Sequence, residues 1–178
     1  SAVAPPEIVT FTKDGMLELI SNFNSAKLEK LDLNDVETFW TKTSRGKSIR
    51  SMLVKPAHFD PAKKYPLFVL MHGGPSIAYK EAFSYRWNYH ALAGEEYVLV
   101  LTDYTGSTGY GEKFSKDIQY DPFKGPATEI QEAAADAIKR FAFIDGTRQA
   151  AGGASYGGHL TNWLQGTTSH YKCLISHA

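Results

Sequence analysis

The chain has 178 residues, 19 Lys and Arg against 19 Asp and Glu, and 43% apolar residues. That size supports one folded domain burying roughly 70% of the unfolded chain's surface, and the apolar content excludes a disordered chain. Balanced charge argues against nucleic acid or an anionic membrane as partner, and no window approaches the roughly 18 to 20 apolar residues of a membrane span.

The first residues, Ser-Ala-Val-Ala-Pro-Pro, carry neither Met nor a signal-peptide pattern. The native start is therefore expected elsewhere, and the compartment, cytoplasm or periplasm, stays open. Residues 7–11 read as a strand, with Asp14-Gly15 as a turn signal. Residues 36–44 and 47–55 read as a hairpin around Arg45-Gly46, and residues 59–66 as a polar loop. Leu67-Phe-Val-Leu-Met71 and Tyr97-Val-Leu-Val-Leu-Thr102 are continuous apolar runs, which suit strands buried on both faces. Each ends in a glycine-bearing loop. Thr128-Glu-Ile-Gln131 reads as a capping box opening a helix. Ile130, Ala134, Ala137, Ile138 and Phe141 then recur at helical spacing. Residues 149–152 are a poor strand on propensity and are read as one only because a glycine-serine motif and a helix come next in the chain. Residues 159–165 read as a helix and 171–176 as a last strand, with the lone Cys173 expected to be a buried, inert thiol. Strand–helix–strand–helix–strand implies an α/β fold with a mostly parallel sheet.

Gly153-Ala-Ser155-Tyr-Gly157 matches G-x-S-x-G. Such a motif marks a sharp strand-to-helix turn with a serine at its apex, where small neighbours avoid clashes and the helix dipole beyond it favours negative charge. Three fixed positions match by accident about one time in twenty in a chain this long, so the flanking strand and helix carry much of the weight. His72-Gly-Gly-Pro75 directly follows the first buried strand. Lipases and esterases place there a glycine-rich loop whose backbone N–H helps form an oxyanion hole. The alternative is a plain tight turn. His72 is expected to order its own loop. His159, on the helix after Ser155, and His170 and His177, beside the last strand, are read as structural or surface residues.

These motifs in this order resemble the prolyl oligopeptidase family of serine peptidases, and most nearly its acylaminoacyl-peptidase and dipeptidyl-peptidase branches. The matching residues are Lys64-Tyr-Pro-Leu-Phe-Val-Leu-Met-His-Gly-Gly-Pro75, Asp103-Tyr-Thr-Gly-Ser-Thr-Gly-Tyr-Gly111, Asp145-Gly-Thr-Arg148 and Gly153-Ala-Ser-Tyr-Gly-Gly158. The resemblance implies an α/β-hydrolase domain over residues 35–178. Residues 1–34, with Leu19-Ile-Ser-Asn-Phe-Asn24, look like the end of a β-propeller. It implies Ser155 as nucleophile, the N–H of Tyr156 as one oxyanion donor, and an N–H of the Gly73-Gly74 loop, that of Gly74 before Gly73, as the other. The family usually carries Arg where Thr105 stands, which puts an ion pair there in doubt.

In the family the order is Ser, then Asp, then His, and residues 156–178 contain neither Asp nor Glu. The expectation is that the acid and the general base lie outside this chain, which alone should be inactive. The expected partners are a short peptide substrate and, over the open sheet edge, the rest of the same polypeptide or a second copy. No cofactor or metal is expected. An esterase using the same site, or a hydrolase fragment that only binds, are the alternatives.

Overall fold

The computed structural model describes residues 1–177. Near the N-terminus, β1 (Val9–Phe11) and β2 (Leu17–Leu19) form a small antiparallel hairpin. Thr12 N–H bonds Met16 O, and Gly15 takes a positive φ of 77°, the turn that Asp14-Gly15 signals. A short helix comes next, α1 (Ser25–Leu28).

The remainder builds one six-stranded sheet from β3 (Glu37–Lys42), β4 (Ser48–Val54), β5 (Tyr65–Met71), β6 (Val98–Thr102), β7 (Ile144–Ala154) and β8 (Cys173–His177), in the order β3-β4-β6-β5-β7-β8. β3 and β4 are the antiparallel hairpin expected around Arg45-Gly46, and β4 pairs antiparallel with β6. β6, β5, β7 and β8 run parallel.

The two apolar runs sit at the sheet centre because both of their faces are covered. Leu67, Val69 and Met71 of β5 and Val98 and Val100 of β6 point into one core, against α4 (Lys124–Arg140) and α5 (Tyr156–Thr167). Leu70, Leu99 and Leu101 alternate onto the opposite face with Ala93 of α2 (Tyr89–Ala93). That second face thins out toward β8, where Ile175 is 55% exposed. Among the described residues no helix is long and apolar enough to cross a membrane.

Several expectations need correction. The helix of Ile130, Ala134 and Ala137 opens at Lys124, four residues before Thr128, so the capping box is not a cap. Thr128 Oγ1 instead donates to Lys124 O and Gln131 Nε2 to Ala127 O, and Asp121 Oδ1 accepts Gly125 N–H in the first turn. Cys173 is exposed, because β8 is an edge strand and its side chain faces away from the packed layer. β7 begins at Ile144, five residues before the poor-propensity Gln149-Ala-Ala-Gly152 stretch: pairing with β5 overrides propensity. The last strand starts at Cys173, and the helix after Ser155 starts at Tyr156 and ends at Thr167. The helices α2 and α3 (Glu112–Lys116) are too short, at five residues each, to leave a periodic signal.

Candidate active site

β7 hands over to α5 at Ser155, whose backbone sits at φ 56°, ψ −120°. A positive φ is costly for a residue with a Cβ, and such strain persists only where the surroundings over-determine it. Here they do. Ser155 N–H donates to His177 O of β8 at 2.9 Å, and Ser155 O accepts His159 N–H of α5 at 3.0 Å. The neighbouring glycines are required by close approach. A Cβ at Gly153 would lie 2.6 Å from Met71 O and 2.7 Å from the backbone of Gly157, while one at Gly157 would collide with the Met71 carbonyl. The motif is thus a three-way junction of β5, β7 and α5 that leaves no room for side chains at 153 and 157.

The Ser155 side chain is exposed, and among the described residues its Oγ has no hydrogen-bond partner. Tyr156 stands at the first position of α5, where helical N–H groups have no acceptor a turn earlier. Its own hydroxyl donates to Pro122 O, and burial pushes its pKa up to about 12.

The loop after β5 approaches the serine closely. A Cβ on Gly73 would lie 3.2 Å from Ser155 Cβ and 3.1 Å from Ala154 O. Gly74 has φ 109°, which only glycine adopts freely, and among the described residues nothing accepts its N–H. His72 is buried and orders this loop. Its Nδ1 lies 2.7 Å from Gly73 O and its Nε2 2.9 Å from Ser107 Oγ. Burial lowers its pKa, so the neutral ring donates from Nδ1 to Gly73 O and accepts from Ser107 at Nε2. In a planar trans peptide C=O and N–H point oppositely, so holding Gly73 O on the imidazole directs Gly74 N–H away from it.

A second loop braces the first. Tyr104 stacks on His72 at 4.3 Å between centroids and donates its hydroxyl to His72 O at 2.5 Å. Asp103 is buried and accepts from Tyr79 N–H at 2.8 Å, from Tyr110 OH at 2.5 Å and from Arg50 at 2.8 Å. Thr105 carries no cation of its own. It donates backbone N–H and hydroxyl to Glu129, each at 2.7 Å, and accepts from Lys47 Nζ at 2.7 Å.

Between the glycine loop, residues 77–89 and the serine lies an open cavity of about 600 Å³. Its walls include Met71, Ile77, Phe83 and Trp87, with Gly73 and Ser155 at one end. Trp87 also has a positive φ, 55°, and its ring meets His177 edge-on at 6.0 Å.

The structure therefore brings Ser155, Tyr156, Gly73 and Gly74 together. It does not bring a base to Ser155: His159, His170 and His177 are exposed, and among the described residues no histidine ring or carboxylate hydrogen-bonds Ser155 Oγ. Sequence reasoning missed Trp87, Lys47 and Glu129. Trp87 sits in a stretch without periodicity, whereas Lys47 and Glu129 lie at hairpin and helix positions where charges usually face solvent.

The sequence signature of the prolyl oligopeptidase family matches residues 83–178. The dipeptidyl-peptidase 5 of Trichophyton equinum is 40% identical over 163 residues, covering 88% of this chain and 22% of the relative. This chain thus spans about a fifth of the length of the curated relatives it matches. The acylaminoacyl peptidase of Pyrococcus horikoshii shares the fold, with a TM-score of 0.86 at 24% identity over 98% of this chain and 28% of its own. An acylaminoacyl peptidase solved in complex with Z-Gly-Gly-Phe-chloromethyl ketone gives 0.83 at 26% identity, over 92% of this chain and 26% of its own. With the Gly153–Gly157 strand-to-helix elbow, the glycine loop and the α/β sheet in family order, the chain belongs to the prolyl oligopeptidase family.

Proposed function

We propose that this chain carries the nucleophile and the oxyanion donors of a serine peptidase acting on short peptides. The observation that carries the reading is Ser155, held at φ 56° on a strand-to-helix turn with an exposed, unengaged hydroxyl beside Gly73. In this mechanism Ser155 Oγ attacks the substrate carbonyl carbon and its proton passes to a general base. Negative charge on the carbonyl oxygen meets the N–H groups of Tyr156 and Gly74, at the N-terminus of α5 and in the glycine loop. The carbon–nitrogen bond then breaks, the amine leaves with the proton, and water hydrolyses the acyl-enzyme.

The base and its orienting carboxylate belong to residues outside this chain, in keeping with the family's order of Ser, Asp, His. Residues 1–34, with the isolated β1–β2 hairpin, are read as the end of a preceding propeller domain. The dipeptidyl-peptidase and acylaminoacyl-peptidase relatives, one of them solved with a peptide chloromethyl ketone, favour a peptide over a simple ester as substrate.

The test is covalent labelling of the full-length protein with a fluorophosphonate. Wild type should label and Ser155→Ala should not, while both melt alike. Equal labelling of the two proteins would place the nucleophile elsewhere.

A further inference from the structure

Glu129 is an anomaly of the fold. Its side chain is 0% exposed, inside α4, on a helix face otherwise made of Ala127, Ile130, Ala133, Ala134 and Ala137. A buried carboxylate destabilises a protein unless its oxygens are fully hydrogen-bonded. Both of its close hydrogen bonds come from a single residue, Thr105: the backbone N–H reaches Oε2 and the hydroxyl reaches Oε1, each at 2.7 Å. The nearest charged group, Arg45 Nε, stands 3.8 Å from Oε1.

The direction of this chain of bonds is fixed by chemistry. Lys47 Nζ lies 2.7 Å from Thr105 Oγ1, and an ammonium can only donate. A carboxylate can only accept. The single hydroxyl proton of Thr105 therefore goes to Glu129. Lys47 also pairs with Asp117 at 3.0 Å, which holds it in place.

Thr105 directly follows one residue that grips His72 and lies two positions before the other. Tyr104 donates to His72 O at 2.5 Å, and Ser107 meets His72 Nε2 at 2.9 Å. His72 in turn holds Gly73 O at 2.7 Å. The charged groups hold the 104–107 loop at Thr105, and His72, which orients the glycine peptide, is held at Tyr104 and Ser107.

We propose that Lys47, Thr105 and Glu129 form a positioning relay that fixes the orientation of the Gly73–Gly74 peptide and so the aim of Gly74 N–H. The relay rests on Ser155 acting as nucleophile and Gly74 as oxyanion donor. None of the three residues touches substrate; they act through the 104–107 loop and His72.

The experiment uses full-length protein, with functional sites counted by fluorophosphonate titration so that kcat refers to competent molecules only. Thr105→Val keeps shape and backbone but removes the hydroxyl, and Glu129→Gln keeps shape but removes the charge. Each should lower kcat and the labelling rate constant roughly tenfold, short of the about 10²–10³-fold loss of an entire donor, with KM unchanged. Thr105→Ser should restore both rates. Lys47→Met should lower kcat in the wild-type background and have no further effect in Glu129→Gln, since the two act along one path.

Lys47 is partly exposed, so it carries the test even if a core variant fails to fold. Titrated sites that turn over at the wild-type rate in Lys47→Met and Glu129→Gln, with only the melting temperature lowered, would overturn the relay. So would additive effects in the double variant. The two readings fail separately: an unlabelled wild-type Ser155 sinks the peptidase assignment, whereas normal labelling at equal rates in every variant sinks the relay alone.

Discussion

Gly153→Ala probes the elbow with one methyl group. The added Cβ would lie 2.6 Å from Met71 O and 2.7 and 2.8 Å from the backbone C and Cα of Gly157. Comfortable contacts begin near 3.5 Å, so each approach is short by about 0.7–0.9 Å. All three obstructing atoms are backbone, one at the end of β5 and two in α5, so no rotamer change relieves them. Either the strand or the helix must move by on the order of 1 Å. Overpacking ordinarily costs about 1–3 kcal/mol, and a backbone shift on two sides belongs at or above the upper end. At roughly 2–4 °C per kcal/mol for a domain of this size, melting should fall by about 6–12 °C. Gly166→Ala is the matched control. It lies in the last turn of α5 with nothing within 4 Å of the new Cβ, so it should be neutral or gain up to about 1 kcal/mol of helix propensity. Urea midpoints at constant slope measure both, and the labelling rate of Ser155 reports whether the elbow has moved. A Gly153→Ala protein within about 0.5 kcal/mol of wild type and labelled at the same rate would refute the packing argument.

Four further outcomes are expected. Gly74→Val, at φ 109° and 2.7 Å from Ser76 N, should cut kcat by about 10²-fold in the full-length protein, and a near-normal kcat would place the second donor elsewhere. The isolated 178-residue chain should show no peptidase turnover, and turnover by pure chain that Ser155→Ala abolishes would mean one of its own histidines serves as base. The His72 ring should titrate below its ordinary 6.5; the unfolded chain then takes that proton first, so His72's contribution to stability is whole above about pH 6.5 and is lost as pH falls toward the folded-state value. An NMR titration of His72 with a midpoint at or above 6.5 would contradict its burial. Finally, the free edge of β8, beside the 55% exposed Ile175, should drive association of the isolated chain, and light scattering that finds a stable monomer at high concentration would overturn this.

How much of this could be read from the sequence depended on how local each signal was. The central strands were legible because burial on both faces leaves an uninterrupted apolar run, and β5 and β6 carry one each. The elbow was legible because steric exclusion at 153 and 157 admits only glycine. The start of α4 was not: its first turn is capped by Asp121 through Gly125 N–H, while Thr128 and Gln131 imitate a capping box one turn inside. Cys173 was misread because a short apolar run does not say whether its strand is central or at an edge. Glu129 was invisible for a similar reason. A Glu in an alanine-rich helix reads as solvent-facing, and only the long-range approach of Thr105 makes Glu129 a buried anchor.

The geometry at Ser155 is held without its own hydroxyl. The strained backbone is fixed by a strand carbonyl, a helical N–H and glycine contacts, and the facing loop is fixed by His72, Tyr104 and Ser107. Removing Ser155 Oγ breaks no hydrogen bond among the described residues, which is why Ser155→Ala should separate chemistry from stability. The two proposed oxyanion donors are equally independent of the base. Tyr156 N–H is aimed by α5, and Gly74 N–H by a peptide pinned from the opposite side. Under the proposed mechanism such a site needs no rearrangement of its first half when a base approaches Ser155, because the proposed nucleophile and both proposed donors are already set by packing within this chain.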